Sequence, residues 1–283
     1  MERWEVPSNG KADLHTHTTF SDGALTPAQL VKKAKQAGLV AISVTDHDNV
    51  NGLDEAISAG KDLDVAVVPG VELSATFNRK EVHILGYFVN HHDEQFQIFL
   101  SELREERIRR AERIVQRLNK MNFPITMNSV LKQAGDGAVG RPHIAAAMVH
   151  EGLAQSYQSV FDDYLGNGRP AYERKVEVSP EKTVRLIADA GGLSFLAHPG
   201  RSLDDNEVDQ LVKAGIDGIE VVHPSHSPWT VQHFHDITSE NFLLESGGSD
   251  FHGGLRGDDD VFGQVTITAE TVEIMRRRLF SHH

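Results

Sequence analysis

Short apolar runs alternate along this chain with stretches in which apolar residues recur at helical spacing. Runs at 39–44, 65–68, 82–88, 193–197, 218–222 and 242–246 have the length of buried strands. After the start signal Thr26-Pro27, Leu30, Val31, Ala34 and Ala37 mark a helix that stops at Gly38. Further helices are expected at about 52–59, 180–190 and 206–214. Strands alternating with helices in this way predict βα units around a parallel sheet.

From about 93 to 122 the pattern changes to one long helix, apolar at Phe96, Phe99, Leu100, Leu103, Ala111, Ile114, Leu118 and Met121. Its arginines, Arg104, Arg107, Arg109, Arg110, Arg113 and Arg117, alternate with Glu102, Glu105, Glu106 and Glu112, which reads as a solvated face with i,i+4 pairs. Short helices follow, one opened by Gly140-Arg141-Pro142-His143, before a loop at 166–170 leads back. The expected organisation is α/β, with a barrel formed by 1–93 and 175–283 and an all-helical insertion over 94–174 capping the site.

The polar residues that interrupt this pattern gather where strands end, and ligand sites in parallel α/β folds collect at the carboxyl ends of strands. His15 and His17 are two apart, so a strand would send both imidazoles to one face. Asp22 follows in a Ser-Asp-Gly turn, near enough to add a carboxylate. His47, Glu72, His83, His198, Asp250 and His252 complete the set. His83, inside an apolar strand, would by itself read as a core histidine. Nine such groups are hard to explain as core, because buried ionisable groups are costly unless paired or bound to metal.

Composition narrows the chemistry. The 283 residues suffice for a barrel with a small insertion. They include no cysteine, so a metal must be held by His, Asp and Glu, a donor set that suits Zn, Mn or Fe. A formal net charge of −13 argues against a protein that coats duplex DNA, though bound cations and local arginines would reverse the field inside a site. No apolar run of signal-peptide type opens the chain and none approaches a membrane span, so a soluble, cytoplasmic protein is expected. Among 16 histidines, His91, His92, His150, His233, His235, His282 and His283 stand in polar or helical contexts and read as surface residues.

Asp13-Leu14-His15-Thr16-His17, Ser21-Asp22-Gly23, Thr45-Asp46-His47, Pro69-Gly70-Val71-Glu72, His83, Ala197-His198-Pro199-Gly200-Arg201 and Gly248-Ser249-Asp250-Phe251-His252 together resemble the PHP (polymerase and histidinol phosphatase) phosphoesterases, in that family's order. The resemblance implies a distorted (β/α)7 TIM-like barrel. It implies one metal on His15, His17 and Asp250, a second on His83 and His198, Glu72 bridging these two, and a third metal on Asp22, His47 and His252. Asp22 stands where some members have histidine, so two or three metals are expected. A metal-bridging hydroxide would attack phosphorus in line.

The helical insertion and Gly140-Arg141-Pro142-His143 further resemble the bacterial subgroup that acts on nucleoside 3′,5′-bisphosphates and, as 5′-to-3′ exonucleases, on short RNA or DNA. Arg141, at a helix start, and Arg201, beside a ligand motif, are the expected phosphate clamps, with His143 assisting. His223, ending a strand, is a candidate to protonate the leaving oxygen. The expected substrate is a small nucleotide or a short single-stranded oligonucleotide. Two other readings remain at this point: a phosphatase for another small phosphomonoester such as histidinol phosphate, and a non-catalytic module stabilised by metal.

Overall fold

A computed structural model describes residues 9–135, 137–200, 202–254 and 257–280. Arg201, His282 and His283 lie outside the described residues. Chain order begins with β1 (Lys11–Thr16), α1 (Pro27–Gln36), β2 (Leu39–Val44), α2 (Leu53–Leu63), β3 (Ala66–Phe77) and β4 (Lys80–Tyr87). Helices α3 (Glu94–Lys120), α4 (Met127–Ala134), α5 (Arg141–His150) and α6 (Tyr157–Val160) follow, the last running into a π-helical turn, Phe161–Leu165. The chain then forms α7 (Pro180–Asp189), β5 (Leu193–Leu196), α8 (Asp205–Lys213), β6 (Gly218–Val222), α9 (Pro228–Glu240), β7 (Leu244–Gly247), β8 (Ile267–Thr268) and α10 (Ala269–Phe280).

Local sequence accounts for the boundaries. Thr26 and Gln29 close a capping box around Pro27 at the start of α1. Asp93 caps α3 through its bond from the Phe96 amide. The eight strands form one sheet in the order β7-β6-β5-β4-β3-β2-β1-β8. The edges approach each other after β7, where the Ser249 amide and hydroxyl donate to the Asp13 carboxylate at 2.9 and 2.5 Å and Phe251 bridges Thr16 in parallel. The result is a nearly closed mixed α/β barrel.

Two features depart from a simple parallel repeat. β3 is a 12-residue strand that continues past its apolar run, turns at Asn78 and Arg79 (φ 49° and 65°) and pairs antiparallel with β4. β4 is antiparallel to β5 as well. Glu72 and His83 therefore lie within strands of a hairpin, not at strand ends; their register (Glu72 opposite Leu85, Ser74 opposite His83) puts both on one face.

The apolar interior has separate parts. Phe96, Phe99 and Leu100 in the first turns of α3 pack into the barrel core, whereas Ala111, Ile114, Val115 and Leu118 in its later turns pack with Val130, Ile144, Met148 and Leu165 of the helical segment. No helix among the described residues is long and apolar enough to cross a membrane.

Candidate metal centre

The nine residues singled out by sequence converge, and Glu72 lies at their centre. It is buried, and its two oxygens face different histidines. Oε1 lies 2.7 Å from His83 Nδ1 and 2.9 Å from His198 Nε2. Oε2 lies 3.3 Å from both His15 Nε2 and His17 Nε2, and 3.1 Å from His47 Nδ1. Asp250 Oδ1 is 3.4 Å from His15 Nε2 and 3.1 Å from His17 Nε2. On the other side of His17, Asp22 Oδ1 lies 3.4 Å from His252 Nε2 and 4.0 Å from His47 Nε2.

These separations fit donors around a common ion. Buried His15 Nε2, His17 Nε2, His47 Nδ1, Glu72 Oε2 and His252 Nε2 make no hydrogen bond of acceptable geometry, although each faces other donor atoms. Such atoms are costly unless something else satisfies them. Three sets bring donor atoms within 4.8 Å of one another and could hold a cation: His15, His17, Glu72 and Asp250; His47, Glu72 and His83; and His17, Asp22, His47 and His252.

Electrostatics binds the cluster together. Burial alone would raise the Glu72 pKa, but His47, His83 and His15 outweigh it and hold the carboxylate well below its ordinary range. Burial would lower His17, yet Asp250 and Glu72 lift it to about 9. His83 is likewise pushed up to about 9, against burial, by Glu72. Protons on these rings occupy the place that cations would take, so metal binding would release them.

A surrounding layer fixes these side chains. Glu220, fully buried, accepts from His15 Nδ1 at 2.8 Å and from the His198 amide at 2.7 Å, so one carboxylate orients the His15 ring and anchors the backbone of His198. The buried Asp46 accepts from the Thr18 amide, the Thr18 hydroxyl and the Ser21 hydroxyl, shaping the turn that presents Asp22. His198 and Asp250 have φ of 27° and 52°, a left-handed backbone that costs energy and is found where function holds it.

A cavity of about 410 Å³ opens on the cluster. Barrel residues Asp22, His47, Glu72, His83, His198 and Asp250 form part of its lining. The helical segment and the irregular stretch that follows it contribute Arg107, Arg110, Arg141, His143, Phe161 and Lys175. Glu81 links the two sets, lying 3.1 Å from His83 Nε2, 2.5 Å from Lys175 Nζ and 3.7 Å from Arg141. Arg141 also donates to the Leu165 carbonyl at 3.2 Å and lies over the rings of Phe161 and Tyr172. Buried His143 accepts the Gly140 amide at Nδ1, at 3.0 Å. His223 Nδ1 accepts the Ser225 amide at 3.1 Å, so the proton of its neutral ring is on Nε2, 3.6 Å from Asp250 Oδ2.

The arginine-rich helix corrects one expectation. Arg109 and Arg113 do form exposed pairs with Glu105, Glu106 and Glu173. Arg107 and Arg110 instead face inward: Arg107 meets Asp48 at 2.6 Å and Ser74 at 3.0 Å, and Arg110 is 5 % exposed. The signal was present in the spacing. Leu103, Arg107, Arg110 and Ile114 follow one another at 4, 3 and 4 residues, which continues the buried stripe. Lys175, Glu81 and Glu220 carried no comparable mark.

Comparison with known proteins agrees with this geometry. The PHP domain family model matches residues 13–173. The chain is 32 % identical over 255 residues to the 3′,5′-nucleoside bisphosphate phosphatase of Chromobacterium violaceum, covering 88 % of this chain and 90 % of that one. It is 34 % identical over 249 residues to the 5′-3′ exoribonuclease Rnm of Escherichia coli, covering 85 % and 84 %. Among solved structures, a Bifidobacterium adolescentis protein assigned as a metal-dependent phosphoesterase superposes with a TM-score of 0.88 at 32 % identity, over 97 % of this chain and 98 % of the other. With the family model matching more than half of its length and these relatives matching nearly all of it, the chain belongs to the PHP-domain family of phosphoesterases.

Proposed function

We propose that the protein removes the 3′-phosphate of nucleoside 3′,5′-bisphosphates, giving a nucleoside 5′-monophosphate and phosphate, and that it also acts from the 5′ end on short single-stranded oligonucleotides. The observation that carries this reading is the two-sided cavity, with an imidazole–carboxylate cluster on barrel elements and Arg107, Arg110, Arg141 and Lys175 gathered above it. A substrate with phosphate at two positions matches both sets, and the volume suits a small ligand, not a duplex.

In this reading Glu72 would hold two divalent cations, one together with His15, His17 and Asp250 and the other with His83 and His198. Asp22, His47 and His252 would hold the third where three, not two, are bound. The division of the Glu72 oxygens between two groups of histidines supports the bridging role. Bound cations would supply Lewis acidity toward the phosphoryl oxygens and lower the pKa of a water at neutral pH. Arg141 and His143, at the amino end of α5, clamp the remote phosphate with Arg201. His223, with Nε2 3.6 Å from Asp250 Oδ2, would donate a hydrogen bond to a leaving oxygen at the cluster. The segment 94–174 acts as an inserted cap that narrows access.

With Mn(II), purified protein is expected to release phosphate from 3′,5′-bisphosphates and to do so faster than from histidinol phosphate. Short 5′-phosphorylated RNA should be shortened from its 5′ end. No phosphate from any bisphosphate would refute the assignment.

Glu220 offers a separate check on the ligands it orients. Glu220→Gln keeps the shape but weakens the hold on His15, and metal affinity is expected to fall about 10–100-fold. Calorimetric titration of the metal-stripped protein measures this directly. Unchanged affinity would remove Glu220 from the support of the centre.

A further inference from the structure

We propose that Asp54, His91 and His92 form a second metal site, distinct from the barrel cluster, that takes a borderline divalent cation such as Zn(II), Ni(II) or Cu(II). Asp54 lies in the first turn of α2, and the two histidines lie in the loop between β4 and α3. Both imidazoles aim Nε2 at one carboxylate oxygen, with His91 at 2.9 Å and His92 at 3.3 Å from Asp54 Oδ1. All three donor atoms lie within 4.8 Å of one another. Four ligands at the ~2.0–2.1 Å of zinc–nitrogen and zinc–oxygen bonds stand about 3.3 Å apart, so the observed separations need little adjustment.

Two consecutive side chains converge here because the loop is held by bonds that leave the rings free to face Asp54. The His92 amide donates to Asn90 Oδ1 at 3.2 Å, and Gln97 Nε2 donates to the His91 carbonyl at 2.5 Å. The Asp93 amide donates to the Asn90 carbonyl at 3.0 Å, and the Asn90 amide to that of Ala190 at 2.8 Å. His91 is mostly covered, while Asp54 and His92 are about two-thirds exposed, at 68 % and 67 %. Solvent can thus reach the open positions of a three-ligand site and complete the coordination. Two imidazoles with a single carboxylate favour Zn, Ni or Cu over Mg or Ca, which prefer oxygen-rich sites.

The location gives such a site a consequence. A cation there would tie the start of α2 to the segment that launches α3. The loop before α2 carries His47 and Asp48, and α3 carries Arg107, the partner of Asp48. The ion would act as a staple between α2 and the segment before α3, held by no residue of the barrel cluster or of the cavity lining.

Equilibrium dialysis against Zn(II) followed by elemental analysis tests this. The His91→Ala/His92→Ala double variant should bind one equivalent fewer than the unmodified protein, and Asp54→Asn should show the same loss. Both variants should keep Mn(II)-dependent phosphate release, since neither alters the cavity. Zinc should raise the melting temperature of the unmodified protein more than that of either variant. In a Glu72→Gln background, where the barrel cluster is weakened, one zinc equivalent should persist and should vanish when the two histidines are also replaced. Equal zinc stoichiometry with and without the two histidines, in either background, would overturn the proposal and would leave the assignment of the barrel cluster untouched.

Discussion

Replacing Glu72 with Gln is expected to lower kcat for phosphate release about a thousandfold while the barrel stays folded. The amide has nearly the same shape, so β3 and β4 can keep their register. What is lost is a negative charge that faces His83 and His198 through one oxygen and His15, His17 and His47 through the other. Lewis-acid stabilisation at such a centre amounts to several kcal/mol; a loss of about 4 kcal/mol corresponds to about three powers of ten in rate. A second readout does not depend on turnover. His83 is pushed up to about 9, against burial, chiefly by Glu72, so its pKa in the metal-free variant should fall when followed by NMR titration. Turnover within tenfold of the unmodified protein, together with an unshifted His83, would show that Glu72 does not bridge the centre.

The sequence carried the candidate cluster because metal-type donors have strict requirements. They must be His, Asp or Glu, and a strand presents them at alternate positions, as at His15 and His17. It was less informative about topology. Asn78-Arg79 contains no glycine, so the tight turn that makes β3 and β4 a hairpin had no strong marker, although both residues adopt positive φ. Glu72 consequently looked like the end of one strand in a parallel repeat, and His83 like part of the next. Their placement within paired antiparallel strands explains how residues 11 apart meet at 2.7 Å.

The cationic part of the cavity was harder to read for a different reason. Charge on a long helix usually means solvent, and Arg109 and Arg113 follow that rule. Arg107 and Arg110 sit on the same helix among apolar neighbours, and only their phase along it separates them from the exposed set. Glu220 and Lys175 act through partners distant in sequence, and no local pattern reports such pairings. Glu220 lies 205 residues from His15, and Lys175 lies 101 from Ser74.

Arg107→Met is expected to destabilise the protein by about 3–5 kcal/mol at neutral pH, the usual cost of removing one partner from a buried ion pair. Asp48 is 1 % exposed and held at φ 49°, and Arg107 lies 2.6 Å from its carboxylate. Burial alone would raise the Asp48 pKa, but Arg107, then Lys175, bring it below the ordinary value of 3.8. In the unmodified protein the ionised carboxylate therefore contributes stability above about pH 4, and that contribution fades as pH falls through the depressed folded-state pKa. Without Arg107 burial dominates, the folded-state pKa moves above the unfolded one, and the charge becomes a cost at neutral pH. The stability gap between variant and unmodified protein should thus be widest near pH 7 and shrink as Asp48 becomes protonated in both. Urea unfolding at pH 7 and near pH 4 measures the gap; a gap independent of pH would show that lost packing, not the stranded Asp48 charge, is responsible. Because Arg107 also lines the cavity, the folded fraction of the variant should show a raised KM for 3′,5′-bisphosphates with a smaller change in kcat, which places the guanidinium on substrate binding and separates it from Glu72.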